Sequence, residues 1–235
     1  MKIGLIYGSD SGSTEEVANK IYTYFKKYEI DILEIKDVDE AKILSFDYLI
    51  FGLSTWYVGE LQSDWENYFD DFKKIDFSGK LISIFGLGDQ WGYDYNFVDG
   101  VGIIAKEILK NNGTIIGNWP TTGYEFQESK GLINETMFYG LAIDEDNQYE
   151  LTDERIKLWC EQLLNSKVQI ISDICWCSIT EPIFPPETKN IITNSGKYAH
   201  YAHGLSGRHT RLSNLQDCVE AAIAGFTTRT SPGWL

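Results

Sequence analysis

Positive charge is scarce in this chain: 20 Lys and Arg face 35 Asp and Glu over 235 residues, a formal net charge of −15. That deficit argues against nucleic acid and against anionic membrane surfaces as partners, and it favours basic ones. Apolar runs of membrane-spanning length are missing, so no membrane association is expected. A leader pattern is missing too, because Met1 runs straight into "KIGLIY", and no signal peptide is expected. The four cysteines show no disulfide-like framework, which suits a reducing compartment; the expected location is the cytoplasm. What remains, 43% hydrophobic residues, is ordinary for a globular protein and enough for one or two domains.

The charge is unevenly placed. Residues 1–166 hold 14 Lys and Arg against 30 Asp and Glu, whereas residues 167–235 hold six against five. The second segment also carries all three His, three of the four Cys and three of the four Arg. This break in composition places a boundary near Lys167, giving a domain over 1–166 and an extension over 167–235.

Within 1–166, apolar runs alternate with helical periodicity. Lys2–Tyr7, Asp31–Ile35, Asp47–Leu53, Lys80–Gly88 and Gly113–Gly117 read as strands, several nearly all apolar, as strands covered on both faces are. Val17, Ile21, Tyr24, Phe25 and Tyr28 share one helical face, as do Trp65, Tyr68, Phe69 and Phe72 in a later segment. Ile103, Ile104 and Ile108 mark a third helix, closed by Asn112-Gly113. A last helix starts at Thr152 and buries Ile156, Trp159 and Leu163. Such alternation predicts a doubly wound α/β fold with a five-stranded parallel sheet. Ligands of such sheets bind beyond the carboxyl ends of the strands, which selects the loops 8–14, 54–60 and 87–97.

The first loop, "GSDSGSTE" (Gly8–Glu15), carries four hydroxyls and no Lys or Arg. Backbone N–H groups, a helix N-terminus and the hydroxyls of Ser9, Ser11, Ser13 and Thr14 can surround an anion. The Gly-Lys-Ser/Thr ending of an NTPase loop and the G-x-G-x-x-G spacing of a pyrophosphate site are both absent, which leaves a monophosphate. The competing reading is a helix cap alone, with Ser13 and Glu16 as a capping box. The other two loops, "STWYVGELQSDW" and "GLGDQWGYDYNF", are aromatic. Rings on both sides of a crevice suit a flat conjugated ligand. Taken together, the three loops describe a flat ring joined to one phosphate, as in flavin mononucleotide (FMN).

Residues 1 to about 166 resemble flavodoxin. The resemblance rests on "YGSDSGSTE", "STWYVGELQSDW" and "FGLGDQWGYDYNF", while "GNWPTTGYEFQESKGL" and "FYGLAIDEDNQYELTDERIKLW" are similar to the long-chain subgroup. It implies strand order 2-1-3-4-5, a monomer and bound FMN, with no catalytic residues and no metal. By position, Ser9, Asp10, Ser11, Gly12, Ser13 and Thr14 would hold the phosphate. Trp56 would cover one flavin face and Tyr93 the other. Ser54, Thr55, Tyr57, Gly59, Leu87, Gly88, Asp89, Asn96 and Phe97 would line the ring and ribityl chain. The Tyr57–Val58 peptide corresponds to the family's redox-linked peptide, whose carbonyl turns toward flavin N5 on one-electron reduction. The implied role is a low-potential one-electron carrier rather than an enzyme, shuttling between basic-surfaced partners such as ferredoxin/flavodoxin-NADP reductase and acceptor oxidoreductases. Glu60, Asp64, Asp89, Asp94 and Asp99 are expected to crowd the rim, opposing further negative charge on the flavin and suiting basic partners.

The alternative within the same fold is a flavin-dependent NAD(P)H or quinone reductase, although no nicotinamide-dinucleotide fingerprint is present. A receiver-type signalling domain would need acid groups that "LIYGSDSG" and "LSTWY" do not supply. Residues 118–140 are expected to interrupt the fifth strand, either for partner recognition or to cover the sheet edge. In 167–235, Cys175–Cys177 and His200–His203 fall short of zinc spacings, residues 213–226 suit a short amphipathic helix, and the extension reads as an appendage.

Overall fold

The computed structural model describes residues 1–178, with side chains through residue 165. Residues 200–203 and 213–226 of the extension lie outside the described residues, and the side chains of Cys175–Cys177 lie outside them too. Met1–Ser166 form one compact unit. Among the described residues, no helix is long and apolar enough to cross a membrane.

The centre is a parallel sheet of β1 (Ile3–Tyr7), β2 (Ile30–Glu34), β3 (Tyr48–Trp56) and a later long strand, Leu81–Leu87. A two-residue strand, β4 (Glu60–Leu61), turns back antiparallel on β3, so Leu81–Leu87 is β5. The order is β2-β1-β3-β5, with Ile3 beside both Ile30 and Tyr48, and Tyr48 beside Leu81. The fifth position is split. β6 (Thr114–Ile115) pairs with Leu81 and Ile82, and the chain returns only at β10 (Leu141–Ile143) to pair with Phe85–Leu87. The sheet order is therefore the expected one, with the fifth strand interrupted.

Every residue of β1 and β5 is buried, because helices cover both faces. Residues of β3 alternate between the two layers. Tyr48 faces α1 (Ser13–Phe25), with its ring 6.5 Å from Phe25 and its hydroxyl 2.7 Å from Ser83 Oγ. Phe51 faces α3 (Ser63–Phe72), meeting Trp65 and Phe72 edge-on at 5.5 Å each. The Trp65 indole N–H donates to Gly52 O at 2.9 Å, so this large ring leaves no polar atom stranded. α4 (Asp99–Lys110) ends in a Schellman turn, in which Gly113 N–H donates to Ile108 O at 2.9 Å and Asn112, at φ 65°, takes the left-handed position. α5 (Thr152–Ser178) buries Ile156, Trp159 and Leu163, the stripe its sequence predicts.

The patterning does not predict α2 (Glu40–Leu44), which is capped by Asp39 accepting from Lys42 N at 2.7 Å. Five residues are too few to display a helical period. Between β6 and β10 stands a second antiparallel sheet of β7 (Trp119–Pro120), β8 (Leu132–Asn134) and β9 (Met137–Phe138). Its ring cluster, Tyr124, Phe126 and Phe138, packs on Phe97 at 5.4–5.9 Å.

Candidate functional site

Turns leaving β1, β3 and β5 at their carboxyl ends converge on a cleft of about 400 Å³. The first turn does not cap its helix as a serine box. Gly12 occupies the N-cap position at φ 91°, without a side-chain cap, and Ser13 is already helical. Glycine is required there because a side chain at that φ is strained. The reversal is fastened by Gly12 N–H donating to Ser9 Oγ at 3.0 Å. Ser11 Oγ and Ser13 Oγ sit 3.2 Å apart and line the cleft together with Thr14.

The second turn is a hairpin joining β3 to β4. Thr55 opposes Leu61 and Trp56 opposes Glu60, leaving residues 57–59 as its tip. Tyr57 (φ 44°) and Gly59 (φ 86°) both take left-handed backbone, which costs little for glycine but about 1–3 kcal/mol for tyrosine. Ser54, Thr55, Trp56 and Tyr57 line the cleft. The Trp56 indole donates to Ser54 Oγ at 2.8 Å, which fixes its ring plane.

The third turn follows β5. Asp89 binds its own loop, accepting from Gly92 N at 2.7 Å, Trp91 N at 3.0 Å and Asn147 Nδ2 at 2.8 Å. Burial pushes the Asp89 carboxyl up, but the hydrogen bonds from Gly92, Asn147 and Trp91 outweigh it, and the net shift is downward. Gln90 and Asp144 form a buried joint behind this loop. Asp144 accepts from Gln90 Nε2 at 2.6 Å, and Gln90 Oε1 accepts from Glu125 N at 2.6 Å. The inserted segment thereby braces the loop from behind. Val98, β-branched yet at φ 47°, is the second strained residue of the site region and lies over Gly88, where an added Cβ would meet Val98 N at 2.9 Å.

The remaining wall is Leu87, Gly88, Asp89, Tyr93 and Asn96, with Glu145 and Asp146 from the loop after β10. Neither Lys nor Arg stands among these lining residues. The Asp146 carboxyl is pushed up, first by burial and then by the charges of Asp89 and Asp144. Hydroxyls and the start of α1 at one end, with Trp56, Tyr57 and Tyr93 elsewhere on the wall, fit a flat ring carrying one phosphate.

Known proteins sharpen this reading. Residues 5–159 match the family model described as Flavodoxin. The flavodoxin of Haemophilus influenzae is 45% identical over 161 residues, covering 68% of this chain and 92% of the relative. The chain belongs to the flavodoxin family. The flavodoxin of Picosynechococcus is 49% identical over 163 residues, covering 69% of this chain and 95% of the relative. Among solved structures, Fusobacterium nucleatum flavodoxin bound to flavin mononucleotide is 30% identical with a TM-score of 0.66, covering 70% of this chain and 98% of that one. Flavodoxins are electron-transfer proteins whose cofactor is FMN. A second family model, described as Aconitase X third domain, matches residues 148–224 and overlaps the flavodoxin match over 148–159.

The cleft gathers twelve of the expected positions: Ser11, Ser13, Thr14, Ser54, Thr55, Trp56, Tyr57, Leu87, Gly88, Asp89, Tyr93 and Asn96. Five others lie off its lining. Ser9 and Gly12 shape the first turn, and Gly59 shapes the second. Phe97 is fully buried, with its ring in the aromatic cluster of the insertion. Asp10 turns away to α3, where its carboxylate accepts from Ser63 Oγ at 2.6 Å and Gln62 Nε2 at 3.0 Å. The Ser63 hydroxyl, ahead of an opposing burial effect, and then Gln62 hold its carboxyl below the ordinary range. Asp99 corrects the rim of acids, since it is buried and paired with Lys130. Glu145 and Asp146 were missed in the sequence. Their one signal is position: the acidic run "DED" follows the last apolar strand and so falls at the carboxyl end of the sheet.

Proposed function

We propose that this chain holds FMN in the cleft and carries one electron at a time, at low potential, between basic-surfaced oxidoreductases in the cytoplasm. One observation carries the reading: the hydroxyl turn of Ser11, Ser13 and Thr14 and the rings of Trp56 and Tyr93 line one cleft beyond the sheet's carboxyl ends. Bound FMN supplies the redox chemistry; the chain binds it, orients it and sets its electrostatic surroundings.

The hydroxyls and the α1 N-terminus receive the phosphate, with Gly12 and Ser9 setting the turn that presents them. Trp56 and Tyr93 pack against the ring, and Ser54, Thr55, Leu87, Gly88 and Asn96 line its edge. The Tyr57–Val58 peptide sits at the tip of the strained hairpin, and its carbonyl is the one that would turn toward the ring on one-electron reduction. No lining cation is present to neutralise added negative charge, while Asp89, Glu145 and Asp146 oppose it. Both features hold the second electron at low potential.

An anaerobic redox titration of the FMN-loaded protein tests this. Two separated one-electron steps are expected, the second far below that of free FMN. A single two-electron step, or unaided oxidation of NADPH by the purified protein, would contradict it. Electron transfer from a basic reductase is expected to slow as salt rises above about 0.1 M, where screening acts within about 10 Å; a flat salt profile would remove the basic-partner part.

A further inference from the structure

The 57–59 hairpin tip rests on a buried charge that the cofactor reading does not use. Asp99 opens α4, and its side chain is 1% exposed. Its Oδ1 accepts the Lys130 backbone N–H at 2.7 Å. Its Oδ2 accepts from Asn96 Nδ2 at 3.0 Å and pairs with Lys130 Nζ at 2.8 Å. That same Oδ2 would lie 2.5 Å from a Cβ built on Gly59, and Asn96 Nδ2 would lie 2.9 Å from it. The Gly59 backbone therefore sits directly against the carboxylate.

The surroundings leave the carboxylate little room to move. A Cβ on Gly100 would meet Leu53, Thr55 and Leu61 at 2.9–3.4 Å, so the helix start presses on the hairpin. Gly100 N–H also donates to Thr55 Oγ1 at 3.0 Å. Across the helix, Gly102 lies so close to Lys130 O that an added Cβ would sit 1.9 Å from it. Residues 129–131 of the insertion thus hold the first turn of α4 against the hairpin. A buried carboxylate is tolerated only when paired and hydrogen-bonded, and Asp99 has both.

We propose that Asp99, with Lys130 as its counter-charge, is the positioning residue of the 57–59 tip: the fixed carboxylate is a stop beneath Gly59 that holds the left-handed Tyr57 and Gly59 in place. It orients the Tyr57–Val58 peptide at the cleft and gives the insertion a role in the site through Lys130. The claim about the tip stands on the contacts above; its consequence for the cofactor rests on the FMN reading.

Nuclear magnetic resonance relaxation on the apo protein, followed by FMN binding, tests it in three variants. Lys130→Met removes the counter-charge at a half-exposed position, Lys130→Arg keeps it, and Asp99→Asn keeps the shape without the charge. Order parameters at Val58 and Gly59 are expected to fall from about 0.85 to below about 0.6 in the Met and Asn variants, with β1 and β5 unchanged and the Arg variant near the parent. FMN affinity is expected to fall about tenfold or more in the same two variants and to recover in Lys130→Arg. Unchanged order parameters at the tip in Lys130→Met, or an equal loss across the whole sheet, would overturn the proposal. Localised loosening in a protein that takes up no FMN would instead sink the cofactor reading and leave the positioning role standing.

Discussion

Trp56 and Tyr93 differ in how firmly they are held. The Trp56 indole is tied to Ser54 Oγ, whereas Tyr93 is 47% exposed beside the cleft. Both present ring area that a flat cofactor would bury. Truncating either to Ala is expected to weaken FMN binding by about ten- to a hundredfold, from lost apolar burial and stacking. Flavin affinity measured by fluorescence titration checks this, and unchanged values in both variants would withdraw the stacking assignment. Asp146 sets a pH dependence. Its folded pKa is raised by burial and by the charges of Asp89 and Asp144, so as pH falls the cleft loses this negative charge sooner than it would lose that of an ordinary aspartate. Asp146→Asn is expected to bind FMN up to about fivefold more tightly at pH 7. The gap between variant and parent should close as pH drops through the Asp146 titration; a gap independent of pH would contradict this. The hydroxyl turn was legible because its signal is local, a cluster of hydroxyls after an apolar strand. The direction of the Asp10 side chain was not legible, because its partners, Gln62 and Ser63, lie more than fifty residues away and nothing in the turn announces them.

At the scale of elements, long periodic segments were legible and short ones were not. The stripe Ile156, Trp159 and Leu163 names its own helix, while α2 and the three strands of the insertion are too brief for any period to show. The split fifth strand was anticipated from Gly, Pro and aromatic residues interrupting the pattern. The second half of that strand, and with it Glu145 and Asp146, depends on a pairing between Leu141–Ile143 and Phe85–Leu87 that no local pattern reveals. The start of α4 offers a direct test of how tightly these pieces fit. In a helix, Gly102→Ala gains up to about 1 kcal/mol from propensity. Here the new Cβ would sit 1.9 Å from Lys130 O, a backbone atom that cannot swing aside, and overpacking costs about 1–3 kcal/mol. The clash is expected to win, so urea denaturation should show lower stability with an unchanged slope. A variant as stable as the parent would show that residues 129–131 do not press on α4.

Across residues 1–166 as a whole, the candidate chemistry gathers at one end of the sheet. Strands buried on both faces form a stiff platform, and the loops beyond their carboxyl ends carry the strained backbone, the exposed rings and the unneutralised acids. The insertion touches this end twice, through the Glu125 N–H on Gln90 behind the third loop and through the Lys130–Asp99 pair at the start of α4. This end of the sheet is proposed as an FMN site. Titrating the apo protein with FMN while following flavin fluorescence tests it most directly. Quenching to a sharp end point at one FMN per chain is expected, as Trp56 and Tyr93 stack on the ring. Flavin that stays fluorescent, with no end point at micromolar protein, would contradict it.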